Sequence, residues 1–258
     1  MEAPIDDVVF SAAGDLLACS WQGRIDLYRV NEDETKWKLA RTIDENQRTK
    51  DINELIFVAH STIMGTIDEE KGLIAEWHIN TGIKKRELRV GSGHQSDTIW
   101  DMTLAVKQRV LIVATLVRVV AYDSASFKEL YSIPIAMAKL SLHPSGDHVI
   151  ASECSNIYAR GRSKIFEWQT ASGDGLISVS VKRSFRMAFA SQRGAIITVG
   201  IKGRIGVVRM DGSIADLGQM GEVTDVTYPF MLVKSGTKLH VYNLRRCFAT
   251  GQQEPQKP

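Results

Sequence analysis

One unit recurs along this chain: a short apolar strand, a turn holding Gly, a β-branched strand, a second turn, and a strand ending in a bulky residue. A repeat of this length limits the fold severely, because each copy must bury its faces against the next. The clearest copy runs Val8-Val9-Phe10, Ala13-Gly14-Asp15, Leu16 to Ser20, Gln22-Gly23, then Arg24 to Tyr28. A second runs Leu140-Ser141-Leu142, His143 to Asp147, His148 to Ser152, and later Lys164 to Trp168. A third runs Met187-Ala188-Phe189, Gln192-Arg193-Gly194, Ala195 to Gly200, Lys202-Gly203, then Arg204 to Val208. The strand-ending residues are Tyr28, Trp77, Tyr122, Trp168, Val208 and Tyr242, at spacings of 34 to 49 residues. Those spacings bracket the ~40–45 residues of a four-stranded repeat. After most of them a turn opens a fourth strand: Asn80-Thr81-Gly82, Ala171-Ser172-Gly173, Asp211-Gly212.

Such units are small sheets, apolar at nearly every inner position, so both faces need cover. Stacking neighbouring sheets around an axis supplies it, and the expected fold is an all-β, single β-propeller. Six four-stranded blades are visible, and seven remain open. A two-sheet sandwich is the competing fold, since it also uses short strands and frequent turns. No run carries the three-and-four apolar spacing of a helix. The propeller is expected over 1–250, and the tail 251–258, with Gln, Glu, Lys and Pro and no apolar anchor, is expected to be disordered. Nothing before Val8 supplies an outer strand to close the ring. Closure with six blades, closure by Cys247-Phe248-Ala249-Thr250 as a last strand, and an open ring completed by a partner all remain possible readings.

The turns His143-Pro144-Ser145-Gly146-Asp147 and Ala12-Ala13-Gly14-Asp15 resemble the turn between the first two strands of WD repeats. Gly93-His94 followed by Tyr122-Asp123 resembles the paired Gly-His and Trp-Asp dipeptides of that family. The resemblance spans about residues 5–248 and implies a propeller; for His94 it implies a structural role. Only Tyr122-Asp123 keeps the terminal Asp. Elsewhere the following residue is Arg29, His78, Gln169, Arg209 or Asn243, so most of the family's hydrogen-bonded network is missing.

Three cysteines, Cys19, Cys154 and Cys247, show no CxxC spacing, which argues against a disulfide framework and for a reducing compartment. The acidic start, with Glu2, Asp6 and Asp7, has no apolar h-region, so no signal peptide is expected. The most apolar run, Val110 to Val117, is too short to span a bilayer as a helix. A cytosolic or nuclear protein without membrane insertion is the expectation.

Catalytic and metal chemistry needs convergent groups. The six histidines form no HExxH or i, i+4 pair, and no Cys has zinc-finger spacing. His143 and His148 bracket one turn, where solvation is the simpler reading. Gly91-Ser92-Gly93 and Gly173-Asp174-Gly175 lie between strands, without the helix N-terminus that a phosphate loop uses. Glu69-Glu70 sits in a polar turn. Trp77 and Trp168 occupy equivalent strand ends and are expected in the core. No GxSxG elbow is present. The expectation is a non-enzymatic chain with no metal and no cofactor.

Charge is the informative feature. Formal net charge is only +2, yet residues 156–209 hold ten basic residues against Glu167 and Asp174 alone. The N-terminal third compensates with Asp6, Asp7, Asp15, Asp26, Glu32, Asp33, Glu34, Asp44 and Glu45. In an up-and-down blade, the loop into the first strand and the loop between the second and third emerge on one face. Arg160, Arg162 and Lys164 belong to the second-to-third connection of blade four. Lys182 and Arg183 precede the first strand of blade five, and Lys202 and Arg204 flank its second-to-third turn. These seven are expected to share one face of two neighbouring blades and to form a partner-binding site. The face would suit an acidic or phosphorylated protein segment, through arginine forks. A nucleic-acid backbone is an alternative, with only Tyr158 and Phe185 as nearby aromatics, and an ordinary solvated face is another. The expected role is a scaffold or adaptor in a multiprotein complex. An architectural subunit whose open ring is completed by another chain is the alternative.

Overall fold

The computed structural model describes residues 5–11, 13–30, 37–44, 52–59, 61–91, 97–143, 145–153 and 163–181. Beyond these it describes the backbone of seven strands between 185 and 243. The chain divides into two compact units, Met1–Pro134 and Ile135–Pro258. Every element among the described residues is a strand.

The first unit holds three four-stranded antiparallel sheets in simple up-and-down order. The first sheet is β1 (Asp7–Phe10), β2 (Leu16–Trp21), β3 (Arg24–Val30) and β4 (Trp37–Asp44). The second is β5 (Leu55–Ala59), β6 (Thr62–Asp68), β7 (Leu73–His78) and β8 (Lys84–Arg89). The third is β9 (Ile99–Ala105), β10 (Val110–Thr115), β11 (Val119–Asp123) and β12 (Glu129–Ile133). The first strands adjoin in series, β1 with β5 and β5 with β9.

The second unit repeats the pattern. Its sheets are β13 (Ala138–Leu142), β14 (His148–Glu153), β15 (Ser163–Gln169) and β16 (Ile177–Val181); then β17 (Phe185–Ala190), β18 (Ala195–Gly200), β19 (Arg204–Arg209) and β20 (Ile214–Gln219). The last is β21 (Glu222–Thr227), β22 (Phe230–Ser235) and β23 (Lys238–Asn243), three strands among the described residues. β17 lies beside β13 and β14.

Burial follows strand position, as stacking of small sheets requires. The middle strands are covered on both faces: β10 is buried throughout, and β6 is buried except for its last residue. The fourth strands β4 and β8 are mostly exposed; β8 is correspondingly polar, whereas β4 exposes Trp37 and Leu39. Because side chains alternate along a strand, the second sheet feeds two cores. Ile63, Ala75 and Trp77 pack with Leu16, Ile25, Leu27 and Ile43 of the first sheet. Met64, Ile74 and Leu88 pack with Met102, Leu111, Val120 and Tyr122 of the third. Each aliphatic side chain buried this way contributes about 1.5–3 kcal/mol.

The strand-ending residues identified in the sequence hold one register. Tyr28 faces Leu17, Trp77 faces Ile63, Tyr122 faces Leu111, Trp168 faces Val149, Val208 faces Ile196, and Tyr242 faces Met231. Trp77 and Trp168 are both fully buried. The residue after the aromatic starts a repeated turn. His78 donates its N–H to Ile83 O and accepts from Gly82 N–H, Asp123 does so with Lys128 and Phe127, and Gln169 with Asp174 and Gly173. This turn needs a left-handed backbone at its fifth residue. Gly82 (φ 71°) and Gly173 (φ 77°) meet that need without cost, whereas Phe127 (φ 58°) does not. The two WD-like turns also match each other, closing through Ser11 N–H to Leu16 O and His143 N–H to His148 O.

Candidate functional site: the basic end of two sheets

The seven basic residues singled out in the sequence attach to strand ends in the second unit. Ala138 pairs with Glu153, Ser152 with Ile165, and Ser163 with Val181, so the start of β15 and the end of β16 lie at one end of their sheet. Phe185 pairs with Gly200 and Arg204 with Gln219, so the starts of β17 and β19 also share an end. Three residues join Val181 to Phe185 and span at most ~3.6 Å each, which holds the two ends together. Lys164 is exposed at the second position of β15, across from Ser180. Arg204 is the first residue of β19. Arg160, Arg162, Lys182, Arg183 and Lys202 lie outside the described residues, in the connections that join these strand ends. Guanidinium and ammonium groups on such connections bind anions by charge and by forked hydrogen bonds.

Other candidate chemistry has structural explanations. His143 Nδ1 lies 2.7 Å from Ser145 Oγ, and its ring meets that of His148 edge-on, with centroids 6.4 Å apart. Among the described residues no three His, Cys, Asp or Glu side chains group as metal ligands would. Cys19 is a buried free thiol. Burial pushes its pKa up, with Asp26 and Asp7 adding to the effect, which disfavours the reactive thiolate.

Asp123, the one terminal Asp of the WD-like pattern, caps its own turn. Its Oδ1 accepts from Ser126 Oγ and Ser126 N–H at 2.7 Å each, and from Ala125 N–H at 3.2 Å. The Ser126 hydroxyl, then the turn amides, hold its carboxyl below the usual carboxylate range. A pKa lowered by folding means the cap stabilises fully above the unfolded value of about 3.9 and is lost as pH falls through the lower folded value. An acid titration followed by the Ser126 and Ala125 amide resonances is expected to show a midpoint below that value. A midpoint at or above it would contradict the cap. His94 and Gly93 lie outside the described residues.

Two features escaped the sequence reading. The first is a pair of arginines on fourth strands that reach the next sheet. Arg41 of β4 donates to Thr81 O at 3.2 Å, and Arg86 of β8 donates to Ser124 O and Ala125 O. Both therefore hold the turn that follows the aromatic of the neighbouring sheet. Glu76, buried in β7, pairs with Arg86 and with Lys85. The only sequence signal is an acid inside the apolar run Leu73-Ile74-Ala75-Glu76-Trp77. The second is a groove of about 410 Å³ between the first and second sheets, with cationic residues on its rim.

No protein-family model matches the chain, and no curated protein matches it. Solved structures do. Kluyveromyces lactis Hsv2 with complete loop 6CD superposes with a TM-score of 0.63 at 16% identity, covering 94% of this chain and 74% of that one. The form with loop 6CD replaced by a Gly-Ser linker gives 0.63 and 16%, covering 94% and 78%. A further Kluyveromyces lactis Hsv2 structure gives 0.61 and 15%, covering 94% and 75%. Hsv2 is a yeast propeller protein. The fold is a β-propeller. At this identity the likeness speaks for the fold, and the WD resemblance rests on the residues quoted above. The sheets are accordingly blades, numbered in chain order.

Proposed function

We propose that this propeller is a non-enzymatic scaffold that docks an acidic or phosphorylated protein segment on the basic end of blades four and five, in the cytosol or nucleus. One observation carries the reading. The stretch 156–209 has ten basic residues and two acidic ones, and its connections attach to strand ends that three residues tie together. Arginines and lysines concentrated there select for anions. The test is affinity purification of the intact chain from its native cells, beside the triple variant Lys182→Glu, Arg183→Glu, Lys202→Glu. Partners are expected to leave at high salt and to be lost in the variant, with circular dichroism unchanged. Partners that survive the triple reversal would overturn the site. Release by nuclease would replace the protein ligand with a nucleic acid.

A second reading has its own support. The last blade has three strands among the described residues, and the outer edge of β23 is where a strand from a partner chain would add. An architectural subunit completed this way is expected to self-associate when produced alone. A well-behaved monomer in sedimentation analysis would count against it.

A further inference from the structure

We infer that the groove between blades one and two is a docking site for a short peptide segment carrying an apolar side chain flanked by carboxylates. The site belongs to the first unit and stands independently of the basic end in the second. Its floor is apolar: Leu16, Leu27 and Ile79 are all buried. Its rim is cationic: Arg29, Lys38 and Arg41 line it, and among the described residues no Asp or Glu does. Leu39 lines it too while remaining 49% exposed, and Trp37, on the same strand, is 43% exposed.

The physical chemistry selects the occupant. At about 410 Å³ the groove falls within the ~300–1,000 Å³ of ordinary ligand pockets, room for a side chain rather than a domain. An apolar group entering it releases water chiefly from Leu39, which is 49% exposed, while Leu27 and Ile79 beneath are already covered. A purely apolar ligand would bring no counter-charge to Arg29, Lys38 and Arg41, and a purely anionic one would leave Leu39 in water. Arg41 spends one N–H on Thr81 O, which fixes its guanidinium at the rim with further donors available. β4 is also the outer strand of its sheet, so an extended segment has backbone beside which to lie. A charged rim around an apolar anchor is the common anatomy of peptide sites. The connection 31–36, which carries Glu32, Asp33 and Glu34, lies outside the described residues. It is present in every variant below.

The test is selection of a random dodecapeptide display library on the intact chain. Recovered sequences are expected to place one apolar residue between Asp or Glu. Their affinity is expected to fall at least about tenfold in Arg29→Glu/Lys38→Glu and, separately, in Leu39→Asp. Both variants change exposed side chains and spare Arg41, whose bond to the turn is structural, and circular dichroism checks the fold. Binding is expected to persist in the triple variant Lys182→Glu, Arg183→Glu, Lys202→Glu. Recovery of peptides without the acid-and-apolar pattern would overturn the proposal. So would equal binding to the groove variants, or loss only in the triple variant.

Discussion

Arg86→Ala is expected to lower the unfolding free energy by about 3 kcal/mol or more, although the residue sits on an outer strand. Three interactions end together. The Glu76 carboxylate, 1% exposed, loses its bond from Arg86 Nε and keeps that from Lys85, whose side chain is 42% exposed and which lies 3.1 Å away. Ser124 O and Ala125 O lose their donor. The Phe127 ring loses the guanidinium that stacks 3.9 Å from its centre. Breaking a buried pair from one side costs about 3–5 kcal/mol; the partial exposure of Arg86 places this one toward the low end. Arg86→Lys keeps the charge without the planar fork and is expected to recover less than half of the loss. Glu76→Met with Arg86→Met removes both charges and is expected to be milder than Arg86→Ala alone. Urea denaturation followed by circular dichroism measures all three. A loss under about 0.5 kcal/mol, the level of an ordinary surface substitution, would show that the network is ornamental.

The reason for that network lies in Phe127. Gly82 and Gly173 take the left-handed position of their turns freely, while Phe127 occupies it against a steric cost. The arginine stacked on the ring and bonded to the carbonyls of Ser124 and Ala125 offsets that cost. None of this was legible in the sequence. Glycine announced the turns at Gly82 and Gly173, but Ala125-Ser126-Phe127 hid an equivalent one. The Arg86 contacts cross 38 and 39 residues, beyond any local periodicity. What the sequence did carry was local. The bulky residue near the end of each third strand, aromatic in all but Val208, its cross-strand partner and the Gly-Asp turns follow from alternation and turn chemistry, and the strands stand where these signals put them. The concentration of basic residues over 156–209 was legible by composition, and β15, β17 and β19 begin where the connections of that stretch end, while Arg160, Arg162, Lys182, Arg183 and Lys202 lie outside the described residues. The groove between blades one and two was not legible, because Arg29, Lys38 and Arg41 are scattered on two strands and meet Ile79 only through packing.

Trp77→Ala is expected to cost about 3–5 kcal/mol, while Trp37→Ala costs less than about 1 kcal/mol, although composition ranks the two alike. Trp77 is 1% exposed at the junction of two blades, among Leu16, Ile25, Leu27 and Ile43 on one side and Ile52, Leu55 and Ile63 on the other. Strands paired in a ladder cannot close around the void left by the indole, so the lost transfer energy and the cavity add. Trp37 sits 43% exposed at the start of β4, in edge contact with Phe10 at 5.9 Å, where water replaces much of what is removed. Trp77→Phe keeps a large ring in the same strand position and is expected to retain more than half of the stability. Urea midpoints for the three variants decide the matter. A Trp77→Ala midpoint close to that of Trp37→Ala would mean that the two blades do not depend on this residue for their contact. The shared register of Trp77 with Tyr28, Tyr122 and Trp168 would then reflect strand propensity rather than packing between blades. If the costs separate as expected, the same side chain that ends a third strand also joins it to its neighbour, and the repeat seen in the sequence is the repeat of that joint.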